Sequence, residues 1–150
     1  HIASTGHNIL VVDANFQQPK LAEQLGVKAP CCWREKLAEE EPLAKASITS
    51  IEDRMTILPL LTTDELTDEN ADQAQTALCE AAKSYDLTIV DIGVIEEASK
   101  NSLWNDSSIF GGSLVVRDLR HDDETSVAVS LDNMKTMGCE NVAIIENFAE

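Results

Sequence analysis

The feature that most limits what this chain can become is the apolar run Ile9-Leu10-Val11-Val12, which stops at a carboxylate, Asp13. An uninterrupted apolar run, without the alternation of a half-exposed strand, suits a β-strand covered on both faces, as in a parallel sheet between helices. The same arrangement returns at Leu87-Thr88-Ile89-Val90-Asp91. In open α/β sheets ligands bind outside the carboxyl ends of the strands, so two strands that each end in an acid predict two carboxylates converging on one site. Asp13 and Asp91 are accordingly the candidate catalytic residues and the candidate metal ligands.

The rest of the chain alternates strand and helix signals around these two runs. Pro19 suits the first turn of a short helix, with Leu21 and Leu25 on one face and Gly26 as its stop. Trp33 to Glu40 predicts a second short helix with Trp33 and Leu37 inward, and Glu39-Glu40-Glu41 is its solvated end before Pro42. Met55 to Leu58 reads as a strand stopped by Pro59, and Thr62 to Asp68 as polar loop. Ala71, Ala74, Leu78, Ala81 and Ala82 recur at helical spacing over Glu69 to Ser84, with Thr67 or Asp68 as N-cap. Residues 94–111 carry no clear period, with Ala98, Leu103 and Trp104 as anchors for a helical turn. Ser113 to Arg117 is a strand opened by Gly111-Gly112. Asp122 or Asp123 then caps a helix with Val127, Leu131 and Met134 on one stripe, closed by Gly138. Val142 to Ile145 is the last strand. The pattern predicts an α/β fold: a doubly wound parallel sheet of about five strands flanked by helices, one domain over residues 1–150.

Composition narrows the partners. A formal net charge of −16 argues against nucleic acid and anionic membrane surfaces, which need clustered Lys and Arg. No apolar stretch is long enough to insert into a membrane. Cys31, Cys32, Cys79 and Cys139 show no C-x-x-C spacing and do not combine with His1, His7 or His121 at zinc-like intervals, which fits buried thiols in a reduced, cytoplasmic setting. The chain opens at His1 without Met, directly inside an Ile-Ala-x-x-Gly segment, and reads as a piece of a longer polypeptide.

A strand-end Asp has two ordinary uses. It caps the next turn or helix, or it holds Mg²⁺, which keeps several waters and takes one or two carboxylates plus substrate phosphates. For a single Asp the first use is the more common; a matched pair raises the weight of the second. Arg117 and Arg120 are candidates for a phosphate or a neighbouring subunit, against a simple surface pairing of Arg117 with Asp118. Asp122-Asp123-Glu124 reads as helix N-terminal charge, and Trp33 and Trp104 as core or interface anchors.

Gly6-His7-Asn8-Ile9-Leu10-Val11-Val12-Asp13-Ala14-Asn15-x-x-x-Pro19-x-Leu21, then Leu25-Gly26, resembles the second signature of the deviant Walker ATPases, the MinD and ParA group. Within that group it is most similar to bacterial tyrosine kinases and exopolysaccharide-synthesis regulators. Tyr85 to Gly93 resembles their Walker B strand, and the likeness continues through Gly112 to Arg117 and Asn141 to Phe148. The resemblance implies a P-loop NTPase-like fold with ATP and Mg²⁺ as cofactors. In it Asp13 activates the acceptor or holds the metal's water, Asp91 orients Mg²⁺, and Asn147 contacts the adenine. Asn15 and Arg117 are the remaining cofactor-binding candidates. It also implies self-association or a membrane-anchored polysaccharide-export partner.

Three departures accompany the match. The kinases usually carry a second acid and a basic residue where this chain has Asn15 and Gln17, and a neutral amide lowers metal affinity. The glycine-rich loop with its Lys and Ser/Thr, whose backbone N–H groups cradle phosphate, does not occur in the 150 residues. In the family it lies just upstream of the segment resembled here, so the first strand and P-loop are expected to be missing and the chain to be inactive alone. The C-terminal tyrosine cluster of the kinases is also lacking, Tyr85 being the only tyrosine. Two other readings stand beside an ATP-dependent kinase: a non-catalytic pseudo-kinase module of the same pathway, and a response-regulator receiver with Asp91 as phosphoacceptor. The receiver reading has against it the extra βα unit implied between the acids and the lack of a Lys after the last strand.

Overall fold

The computed structural model describes residues 6–63, 68–104 and 110–147. These form two compact units, residues 1–94 and 95–150. The first contains a four-stranded sheet in the order β2-β3-β1-β4, built from β1 (Ile9–Asp13), β2 (Ile48–Ser50), β3 (Met55–Leu58) and β4 (Leu87–Asp91). β1 is central, pairing in parallel with β3 on one edge and β4 on the other. That position accounts for its continuous apolar sequence: Ile9, Leu10 and Val12 are buried along with the terminal Asp13.

The described residues of this unit also form three α-helices, α1 (Leu21–Gln24), α2 (Trp33–Ala38) and α3 (Asp68–Ala82), and a 3₁₀ helix at Leu43–Ala46. α2 buries Trp33 and Leu37, as its spacing predicts. Ala71, Ala74 and Leu78 are the buried stripe of α3. The expected cap Thr67, and residues 64–66 of the expected polar loop, lie outside the described residues.

β2 is a strand the sequence does not announce, because Ile48-Thr49-Ser50 is short and polar. It forms by folding back antiparallel onto β3, with the Thr49 and Thr56 hydroxyls hydrogen-bonded at 3.0 Å across the pair. Ser50 donates its hydroxyl to Asp53 in the connecting turn, and Arg54 takes a left-handed φ of 51° there.

The second unit holds α4 (Ile95–Ala98), a 3₁₀ turn at Ser102–Trp104, β5 (Ser113–Asp118), α5 (Glu124–Thr136) and β6 (Val142–Asn147). Ala98, Leu103 and Trp104 are buried, as expected of anchors in the aperiodic stretch. β5 and β6 form a two-stranded parallel sheet. Asp123 caps α5, its Oδ1 accepting the Ser126 N–H at 2.8 Å, and Gly138 ends that helix at φ 85°. β6 runs two residues beyond the expected Ile145, so Asn147 is its final residue, in register with Asp118, instead of following the strand. Among the described residues the parallel strands thus fall into two hydrogen-bonded sheets rather than one. All four cysteines are free, and no described helix is long and apolar enough to cross a membrane.

Candidate functional site

The carboxyl ends of β1 and β4 lie side by side, with Asp13 and Asp91 in direct register. Adjacent strands are about 4.8 Å apart, so the two acids neighbour each other across the ladder. The Ala14 N–H donates to the Asp91 carbonyl at 2.8 Å and extends the pairing one residue past the strand. The pairing of these two acids expected from their strand-end positions is therefore present.

Their surroundings differ. Asp13 is fully buried. Its Oδ1 accepts the Asn15 N–H at 3.2 Å and its Oδ2 the Leu21 N–H at 3.0 Å, so the carboxylate closes the turn after β1 and holds the first residue of α1. Burial raises its pKa above the ordinary carboxylate value, the two backbone donors oppose that rise, and the neighbouring charge of Asp91 adds to it. Asp91 is exposed, and its Oδ1 accepts the Gly93 N–H at 2.9 Å.

Trp33 fixes the end of β1 from below. Its indole N–H donates to the Asp13 carbonyl at 2.8 Å, its own backbone N–H donates to the Pro59 carbonyl beyond β3, and Phe16 packs edge-on to its ring at 6.1 Å. One residue, through its indole and its backbone N–H, thus ties together the carboxyl ends of two neighbouring strands.

Asn15 occupies a place its sequence context did not reveal. Its Oδ1 accepts the Gln18 N–H at 3.0 Å, and its side chain lies against Gly93, where a Cβ would come within 2.4 Å of the Asn15 Cγ. Gly93 has φ 72°, so both its conformation and its contact demand glycine. The only local signal was a glycine two residues after Asp91.

In the second unit Arg117 is held by its own surroundings. Its Nη1 pairs with Glu146 at 3.2 Å, and Nε and Nη2 donate to the Asp122 carbonyl at 3.4 Å. The expected alternative, a pairing with Asp118, is taken instead by Arg120, which lowers the Asp118 pKa to about 2. Asn147 is exposed, and its carbonyl accepts the Leu119 N–H.

Among the described residues no group of three or more His, Cys, Asp or Glu could hold a metal ion. A Mg²⁺ that arrives with phosphates needs only one or two carboxylates. Asp91, exposed and using one oxygen internally, suits that requirement. Asp13, buried with a backbone donor on each oxygen, suits it only as negative charge behind Asp91.

No protein-family model matches the chain, and no curated protein gives a significant match. Solved structures do match. The kinase domain of the Escherichia coli tyrosine kinase ETK superposes with a TM-score of 0.74 at 19% identity over 99% of this chain and 60% of that one. The chimerical protein CapA2B2 gives 0.78 at 14% identity, over 99% and 66% of the two chains. MinD in the MinC:MinD cell division protein complex of Aquifex aeolicus gives 0.75 at 20% identity, over 99% and 59%. The chain thus spans about 60% of the length of the ETK domain. Over nearly its whole length the chain thus shares its α/β fold with the ETK kinase domain and with the MinC:MinD match.

Proposed function

We propose that this chain is a nucleotide-binding-fold domain related to the cytoplasmic kinase and ATPase domains that regulate capsular or exopolysaccharide synthesis and export, and that these 150 residues do not transfer phosphate by themselves. The observation that carries the reading is the register of Asp13 with Asp91 at the carboxyl ends of adjacent parallel strands, where α/β folds bind their ligands. The signature around Asp13 and the fold support the kinase and ATPase relationship, which rests on analogy for its chemistry.

Asp91 would hold Mg²⁺ through its solvent-facing carboxylate, with Asp13 adding negative charge from behind. Bound with ATP, Mg²⁺ supplies the positive charge that neutralises phosphate oxygens. Asn147 and Arg117 remain the candidates for base and phosphate. For Arg117 this requires release from Glu146.

A second reading, a non-catalytic module that acts on a polysaccharide-export partner or on its own copies, draws on a separate observation. Asn15 and Arg117 both spend their polar groups on neighbouring protein atoms, as structural residues do.

Both readings meet the same experiment: NMR titration of the chain with Mg²⁺ and then Mg·ATP, with phosphate release assayed in parallel. Shifts centred on Asp91 that vanish in Asp91→Asn, without phosphate release, are expected. Turnover of ATP or phosphorylation of Tyr85 would overturn the claim of inactivity, and the lack of any shift would leave the interaction module. Labelling of Asp91 by acetyl phosphate would instead favour a receiver.

A further inference from the structure

The stretch between β1 and α2 reverses the charge of the chain. Residues 14–34 hold three cations, Lys20, Lys28 and Arg34, against one acid, Glu23, a local charge of +2 in a molecule of −16. Lys20 and Lys28 are exposed, and neither enters an ion pair among the described residues, whereas Lys36, Lys45 and Lys83 of the same unit each pair with a glutamate. With 27 acids to 11 bases in the chain, lysines left without a carboxylate are the exception.

Hydrogen bonds within the first unit hold this stretch beyond the carboxyl ends of β1 and β3. The N–H of Leu21, next to Lys20, donates to the Asp13 carboxylate at the end of β1, and the N–H of Val27, next to Lys28, donates back to the Ala22 carbonyl of α1. The Trp33 N–H donates to the Pro59 carbonyl just after β3, and Arg34 Nη1 donates to Thr62 Oγ1 at 3.2 Å in the segment that follows. The three cations are therefore tethered at one end of the sheet. Two large apolar side chains share that end and are exposed: Leu25, one helical turn after Leu21, and Leu61, beside Thr62.

We propose that this end of the β1–β3 pair binds an acidic segment of a separate polypeptide, one that carries bulky apolar residues between its carboxylates. Lys20, Lys28 and Arg34 pair with the carboxylates, and Leu25 and Leu61 cover the apolar side chains. The two leucines favour a polypeptide over a phosphate chain, which would leave them in water. The net charge of −16 does not prevent approach, because at 0.15 M salt charges beyond about 8 Å are largely screened and the nearest cations decide. A second copy would bring its own −16 to the contact, whereas a short segment brings only the charges it pairs. No metal at Asp91 is needed, so this binding is independent of the phosphate chemistry proposed above.

The test titrates the 150-residue chain, in EDTA and at 0.15 M salt, into a fluorescent peptide of alternating Glu and Leu, read by anisotropy and by NMR of the protein. Binding is expected, with amide shifts centred on residues 20–34 and 60–63. Lys20→Glu combined with Lys28→Glu should weaken it about tenfold or more, because two attractive pairs become repulsive. Lys20→Glu alone should cost about threefold or more, whereas Lys83→Glu, the same change in net charge ahead of β4 at the opposite end of the sheet, should leave affinity within about twofold. A peptide with Ser in place of Leu keeps every charge and should bind more weakly. The proposal is overturned if the Glu/Leu peptide does not bind, if the shifts fall elsewhere, or if Lys83→Glu costs as much as Lys20→Glu. Equal binding of the Ser peptide would overturn it in favour of a site for any polyanion, and self-association of the chain through the same amides in favour of a second copy.

Discussion

At the scale of single residues, Asp13 concentrates the chemistry. It is an acid without exposure whose oxygens both accept backbone N–H groups, and burial outweighs those donors to raise its pKa. A folded-state pKa above the unfolded value means that protonation favours the fold. The associated stabilisation is complete below the unfolded pKa near 3.8 and is lost as pH rises through the folded value. Between pH 7 and pH 4 the wild type should therefore gain stability relative to Asp13→Asn, which has no charge to lose. Melting curves of both proteins across that range measure it, and a relative loss for the wild type on acidification would show that the two donors dominate burial. Asp118, held low by Arg120, has the opposite linkage: its contribution is present at neutral pH and disappears as pH falls toward about 2.

Between elements, the contact of Asn15 with Gly93 clamps the loop after β1 to the loop after β4. Gly93→Ala places a Cβ in contact with the Asn15 side chain and forces alanine into a left-handed φ, which should destabilise by about 2 kcal/mol or more. In an Asn15→Ala background the clash is removed and only the backbone strain persists, so the cost of Gly93→Ala should fall by about 1 kcal/mol. Chemical denaturation of the four proteins closes the cycle, and additive costs would mean that the two loops are not coupled. The acid pair was legible in the sequence because each Asp ends its own apolar run. The clamp was not, because Asn15 and Gly93 meet only once β1 and β4 are paired. Arg117 teaches the same point in the second unit: as a residue it looked available for phosphate, and its register neighbour Glu146 and the Asp122 carbonyl take it up.

For the whole molecule the dominant quantity is the charge of −16. Self-repulsion of this size opposes compaction and is screened as the Debye length shortens from about 30 Å at 0.01 M salt to about 8 Å at 0.15 M. The Tm should consequently rise with NaCl over that range at neutral pH, and the rise should shrink near the isoelectric point of about 4.4. A Tm that falls with salt would show that local pairs such as Arg117–Glu146 and Arg120–Asp118 outweigh the net repulsion. The second unit also leaves Leu114 and Val116 of β5 more than 60% exposed. An apolar parallel pair is ordinarily covered on both faces.

The sequence by itself determined the element types and the acids at the strand ends, since strand and helix periods, proline stops and the Asp123 cap act over a few residues. It also carried a resemblance to bacterial tyrosine kinases and MinD, which the structural neighbours match. Only the tertiary structure decided that Asp13 is buried and spent on Asn15 and Leu21 while Asp91 stays open, that β2 folds back on β3, and that Asn15 meets Gly93. Each of these depends on which distant segments pair and on which side of a strand remains bare, and no local pattern of residues encodes that.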